Sequence, residues 1–194
     1  MFFSLYLPLL LENKYHRPCS GIIPEFPIQI PHTRRRKSVD FVFKVDYLAV
    51  LEDPPNDDSR SLIDKPKTLI FVKVKTNMAS RPNREDHCFA LAQERGMAPL
   101  LRGLARICSA STAREEYRTL AYLLEHGGLI EPDERGRFKP APNLPRPEVL
   151  YIQPTNAKLD KRVMTFKEVY DQLTDLGDAM SERFAESLRG WGSM

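Results

Sequence analysis

The segment Thr68-Leu69-Ile70-Phe71-Val72-Lys73-Val74-Lys75-Thr76 constrains this chain more than any other. Its first half is unbroken and apolar, and its second half alternates. An extended strand sends successive side chains to opposite faces, so four apolar residues in a row require cover on both. Strands of that kind belong inside α/β sheets with helices on either side, not in hairpin sheets that are wet on one face. The alternation then puts Lys73 and Lys75 on one face, with Val72 and Val74 opposite. Lysines at a strand end have a plain use, because charge on an edge discourages aggregation.

The other elements alternate around this strand. Residues from about Ser4 to Tyr15 suit a helix, with Pro8 expected in its first turn. Gly21 to Ile30 holds two internal prolines, which demote it to an irregular or edge strand. Val39 to Val45 reads as a strand, and Tyr47 to Leu51 either continues it or pairs with it. Glu52 to Lys67 is a loop by its Pro, Asp, Asn and Ser content. Glu85 to about Cys108 is mostly helical, with Gly96, Pro99 and Gly103 as expected breaks. A further helix runs from an N-cap at Thr112 to His126 and stops at Gly127-Gly128. Pro132 to Pro147 is expected to be loop. Val149 to Gln153 is a strand ended by Pro154, and one long last helix starts at a Thr165/Glu168 capping box and reaches about Arg189.

With 194 residues the chain is expected to form a single domain, residues 1–194, with a helical insertion or cover at about 85–130. A net charge of +3 permits a nucleic-acid partner without requiring one. The three cysteines form no CxxC pair, which argues against a thiolate zinc site or a disulfide framework and favours a reducing, cytoplasmic setting. The apolar N-terminal run ends at Leu11, too short to span a bilayer, so no membrane partner is expected. The four histidines lack metal-ligand spacing, and no Gly-rich phosphate loop or nucleophile elbow occurs.

Asp40 sits inside the apolar run Val39 to Val45, where a carboxylate is costly unless paired or metal-bound. Taken with the triplet Lys73-Val74-Lys75, this resembles the PD-(D/E)XK nuclease superfamily. That superfamily places an Asp on one strand and (D/E)-x-K on the next, often with a Glu from the N-terminal helix. The match covers roughly residues 5 to 80. Asp40 matches the Asp, Lys75 the Lys, and Glu12 the helix Glu. The resemblance implies a restriction-endonuclease-like α/β fold, a mixed central sheet flanked by helices. It also implies Mg²⁺ held in part by Asp40, phosphodiester hydrolysis on DNA, and a homodimer, the state of many members.

Lys73 departs from that pattern at the acidic position. An ammonium cannot ligate Mg²⁺, which takes oxygen ligands. Three explanations stand open. The activity has been lost, leaving a binding or interaction module; or the carboxylate has migrated to Glu12, Glu25, Glu52 or Asp46; or a Glu has been changed to Lys in this sequence. The run Arg34, Arg35, Arg36 and Lys37 is a candidate phosphate-contacting patch. Arg81, Arg84, Arg102 and Arg106 are candidates to extend it. Tyr117 to Phe138, a helix followed by a polar turn, also resembles the end of a winged helix with its wing.

Overall fold

The computed structural model describes residues 2–30, 41–52, 67–76, 84–110, 114–132, 138–155, 160 and 162–191. Helix α1, Phe2–Tyr15, leads into strands β1, Cys19–Pro24, and β2, Pro27–Ile30. Strands β3, Phe41–Lys44, β4, Tyr47–Glu52, and β5, Lys67–Val74, follow. Three helices come next: α2, Arg84–Arg95; α3, Met97–Ala110; and α4, Arg114–His126. The short strands β6, Ile130–Pro132, and β7, Phe138–Pro140, form a two-stranded sheet. The chain then returns to the main sheet as β8, Glu148–Gln153, and β9, Val163–Thr165. It closes with α5, Phe166–Thr174, and α6, Ala179–Trp191.

Five strands make a mixed sheet in the order β1-β4-β5-β8-β9. β1, β4 and β5 run as antiparallel neighbours, whereas β8 is parallel to β5 and β9 parallel to β8. The central position of β5 is what its apolar run demands: Leu69, Ile70, Phe71 and Val72 are all fully buried. Leu69 and Phe71 face a core built with Phe89, Leu101, Leu104 and Leu124 from α2, α3 and α4. Ile70 and Val72 face the opposite core, where Leu7 and Leu11 of α1 meet Phe166 of α5 and Phe184 of α6. Each such side chain contributes about 1.5–3 kcal/mol by leaving water, which is why both faces are needed. The chain is therefore an α/β fold with helices on both faces of a mixed sheet.

Strands β2 and β3 pair with each other in a separate two-stranded sheet. They are nonetheless an extension of β1 and β4. Pro24 faces Tyr47, the Glu25 amide donates to the Asp46 carbonyl at 2.9 Å, the Val45 amide donates to the Phe26 carbonyl at 3.0 Å, and Pro27 faces Lys44. The register carries through without a slip, so the two segments form one long hairpin bent at Glu25, whose φ is 49°. A non-glycine residue in the left-handed region marks a backbone held there by its surroundings. β4 thus continues β3 rather than pairing with it.

Several boundaries differ from the sequence reading. Pro8 lies in the body of α1, not in its first turn. The lost amide is outweighed by burial of Phe3, Tyr6, Leu7, Leu10 and Leu11 along one stripe. Of the three expected breaks after Glu85, only Gly96 separates helices, with φ 78°. Pro99 falls in the first turn of α3, where no amide is needed, and Gly103 is inside the same helix. The Thr112 cap lies outside the described residues. The stretch expected to be loop after Pro132 contains β7. The final helix is two helices, interrupted at Gly177 with φ 67°. The Thr165/Glu168 capping box is present at the start of α5. Trp191 is the last residue of α6.

Candidate functional site

The polar end of β5 is assembled by strand alternation. Lys73 follows Leu69 and Phe71 on the face covered by α2–α4, and Lys75, just past the strand, continues that series. Lys73 pairs in register with Tyr151 of β8, so the two share a face across parallel strands. The Lys75 ammonium lies over the Tyr151 ring, 4.3 Å from its centroid. That is a cation–π distance, and it partly replaces the water the ammonium gives up. Phe89 of α2 meets the same tyrosine edge-on, with centroids 6.2 Å apart.

On the other flank stands Asp46, at the bend where the long hairpin enters β4. Its Oδ2 accepts from the Val74 amide at 2.7 Å, and its Oδ1 accepts from Lys73 Nζ at 3.3 Å. β4 pairs with β5 only as far as Val72, opposite Tyr47. The Asp46 carboxylate therefore takes the place of a strand partner for the next outward-pointing amide of β5. The pair is half-sheltered, with 17% of the Lys73 side chain and 34% of the Asp46 side chain exposed. Charges at that depth are screened less than on an open surface, and an acceptor that is itself charged strengthens the backbone bond.

The remaining sequence candidates fall elsewhere. Asp40 lies outside the described residues, as do Arg34, Arg35, Arg36 and Lys37. The strand that follows Asp40 in sequence, β3, belongs to the two-stranded extension. Glu12 is described and is not brought to the lysines. Its Oε1 accepts from the Cys19 amide at 2.8 Å, and Cys19 faces Leu51 at the far end of β4 from Asp46. Cys19 and Pro24 are five residues apart on β1, roughly 16 Å at strand rise. Glu25 is tied to Lys44 by a 2.6 Å ion pair at the surface, which holds its carboxyl below the usual range. Arg102 is exposed on α3.

The site residue passed over as a first choice is Asp46, together with the aromatic floor, Tyr151. Asp46 was recognisable only as one of several possible migrated carboxylates. Its signal is positional: it immediately precedes the strand that pairs with β5.

A divalent cation of the Mg²⁺ class needs several oxygen ligands around it. The described residues bring one carboxylate to this end of β5, with both oxygens already accepting hydrogen bonds, and two ammonium groups. They do not fit such an ion. Among the described residues there is no cluster of three or more side chains of metal-ligating type. Nor is any described helix long and apolar enough to cross a membrane. Comparison of the chain with models of protein families, with curated proteins and with solved structures finds no match.

Proposed function

We propose that this chain carries a restriction-endonuclease-like core related to the PD-(D/E)XK superfamily, and that it binds DNA without hydrolysing it. The observation that carries the reading is the Asp46–Lys73 ion pair. The resemblance calls for an Asp on one strand and a (D/E)-x-K triplet on the next. β4 and β5 are neighbours, Asp46 stands at the entry to β4, and Lys73-Val74 closes β5 with Lys75 just beyond it. The Asp of the resemblance is Asp40, outside the described residues; Asp46 is one of the carboxylates considered for a migrated site, and its place beside Lys73 supports the reading. The Lys73 ammonium, at the position where the resemblance expects a carboxylate, pairs with Asp46. This end of β5 carries two basic side chains on one face, a composition that favours phosphate oxygens.

The test pairs DNA binding with cleavage. The chain and a Lys73→Glu variant are assayed on linear, supercoiled, single-stranded and branched DNA, with Mg²⁺, Mn²⁺ or EDTA. The chain is expected to retain DNA whether or not metal is present, with affinity that falls as salt rises, and to leave every substrate intact. Lys73→Glu is expected to show metal binding by calorimetry that the parent lacks. Metal-dependent cutting by the parent overturns the non-hydrolytic reading in favour of a migrated site. Failure of the parent to bind any of the four DNAs overturns the nucleic-acid assignment.

A further inference from the structure

Lys73 and Lys75 stand two positions apart along one face, about 7 Å by strand rise. They are held in different ways. Lys73 meets a carboxylate, with its Nζ 3.3 Å from Asp46 Oδ1. Lys75 meets an aromatic face, with its Nζ 4.3 Å from the centroid of Tyr151. An ion pair cancels charge as it orients a side chain. A ring has a quadrupole and no net charge, so it orients an ammonium and leaves the charge in place. The ring is itself braced. Phe89 of α2 meets it edge-on at 6.2 Å, and Phe89 packs in turn against Phe71 of β5 at 6.3 Å. The backbone on both sides of the contact is tied as well. The Lys75 amide donates to the Ile152 carbonyl at 2.8 Å, and the Tyr151 amide donates to the Arg162 carbonyl at 2.7 Å.

A lysine stem is among the costliest side chains to order. The cost falls on binding when the stem is loose beforehand, and on folding when the protein already holds it. An ammonium carries three donors, so a ring on one side of it is compatible with an anion on another. Resting on the DNA-binding reading above, we infer that Tyr151 is a positioning residue: its ring holds the Lys75 ammonium at the end of β5 for contact with a backbone phosphate of DNA. Tyr151 acts through Lys75, and the ring rather than the hydroxyl performs the task. A phosphate contact sets affinity and register and carries no base sequence, so the effect is the same on different sequences.

The experiment measures binding of the full chain to labelled linear duplex, single-stranded and branched DNA by fluorescence anisotropy across a range of salt. The variants are Tyr151→Phe, Tyr151→Leu, Lys75→Met and the double Tyr151→Leu/Lys75→Met. Tyr151→Met, ring-free but long and flexible, serves where leucine disturbs packing. Lys75→Met leaves the ring in place and keeps the proposal refutable by itself. It is expected to weaken duplex binding about fivefold and to reduce the slope of log K against log salt by about 0.9, one phosphate contact. Tyr151→Phe keeps the ring and is expected to bind within about twofold of the parent. The ring-free variants are expected to lose about threefold while Lys75 is present, and nothing further once Lys75 is replaced. Full affinity in a folded ring-free variant, or a ring-free loss that persists in the Lys75→Met background, overturns the positioning role. An unchanged salt slope in Lys75→Met overturns the phosphate contact. Both results leave DNA binding intact. Absence of binding to every probe by the parent overturns the DNA-binding reading, and the positioning role with it.

Discussion

Removing the Asp46 side chain tests the polar end of β5 most directly. Asp46→Ala deletes two interactions of different weight. The first is the charged acceptor for the Val74 amide at 2.7 Å. A bond to a charged group is worth about 1.5–3 kcal/mol. The second is the pairing with Lys73 at 3.3 Å, in a site where a third of the carboxylate is wet. Solvent screening reduces that part to about 0.5–1 kcal/mol. The sum, about 2–4 kcal/mol, lowers Tm by roughly 5–15 °C in a chain of this length. Asp46→Asn keeps an acceptor for Val74 and loses the charge, so it costs about 1 kcal/mol. Lys73→Met keeps the apolar stem and leaves Asp46 bonded to Val74, so it stays within about 1 kcal/mol of the parent. Urea unfolding of the two singles, Asp46→Asn and Lys73→Met, and of their double then yields a coupling of about 0.5–1 kcal/mol. The reasoning fails if Asp46→Asn costs as much as Asp46→Ala, which makes the backbone bond irrelevant. It also fails if the coupling is zero, which makes the pair a bystander.

Three further outcomes follow from caps and thiols. Thr165→Ala removes one half of a capping box in which Thr165 Oγ1 accepts from the Glu168 amide at 3.1 Å; it should cost about 1 kcal/mol in urea unfolding, and no change in midpoint would contradict that role. The Asp178 carboxylate caps α6, and the Ser181 amide, followed by the Ser181 hydroxyl, holds its carboxyl below the ordinary 3.8. A depressed carboxyl stabilises the fold above its unfolded pKa and ceases to do so as pH falls through the lower folded value. Asp178→Ala should therefore lower Tm at neutral pH and match the parent at strongly acidic pH; a gap that persists undiminished there would count against the cap. Burial pushes the Cys19 thiol up to about 11, so peptide mapping after brief alkylation near neutral pH should find it labelled much more slowly than a free thiol, and labelling at the free-thiol rate would refute its shelter.

What the sequence made legible follows from how local the physics is. Four apolar residues in succession placed β5 in the interior of the sheet, because an edge position does not cover both of its faces. The Thr165/Glu168 box was readable because a cap involves only residues three apart. The choice of partner strand is tertiary. The runs before and after Asp46 have similar composition, and only the register shows that one continues the other past a bend. Asp46 reads locally as turn punctuation, and its bond to Val74 spans the sheet. β9 is three residues long, too short for any period to show. The interruption at Gly177 was written as a glycine followed by Asp178, a stop and a new cap. The surrounding helical pattern concealed it because both halves bury the same side of the sheet.

The order of the strands has a kinetic consequence. The chain leaves the sheet at Val74 and comes back to pair with it only at Glu148, with α2–α4, β6 and β7 in between. Closing so long a loop before any parallel contact rewards it makes β5–β8 pairing a slow step. The antiparallel neighbours β1, β4 and β5 are joined by shorter connections and are free to assemble first. Lys75 belongs to that early half and Tyr151 to the late one, so their contact forms when the last long-range pairing is made. Protection of the Lys75 amide, which donates to the Ile152 carbonyl at 2.8 Å, should accordingly lag behind that of β4 in pulse-labelled hydrogen exchange. The polar end is thus expected to form in two stages, the Asp46–Lys73 contact with the antiparallel half and the Lys75–Tyr151 contact with the late one.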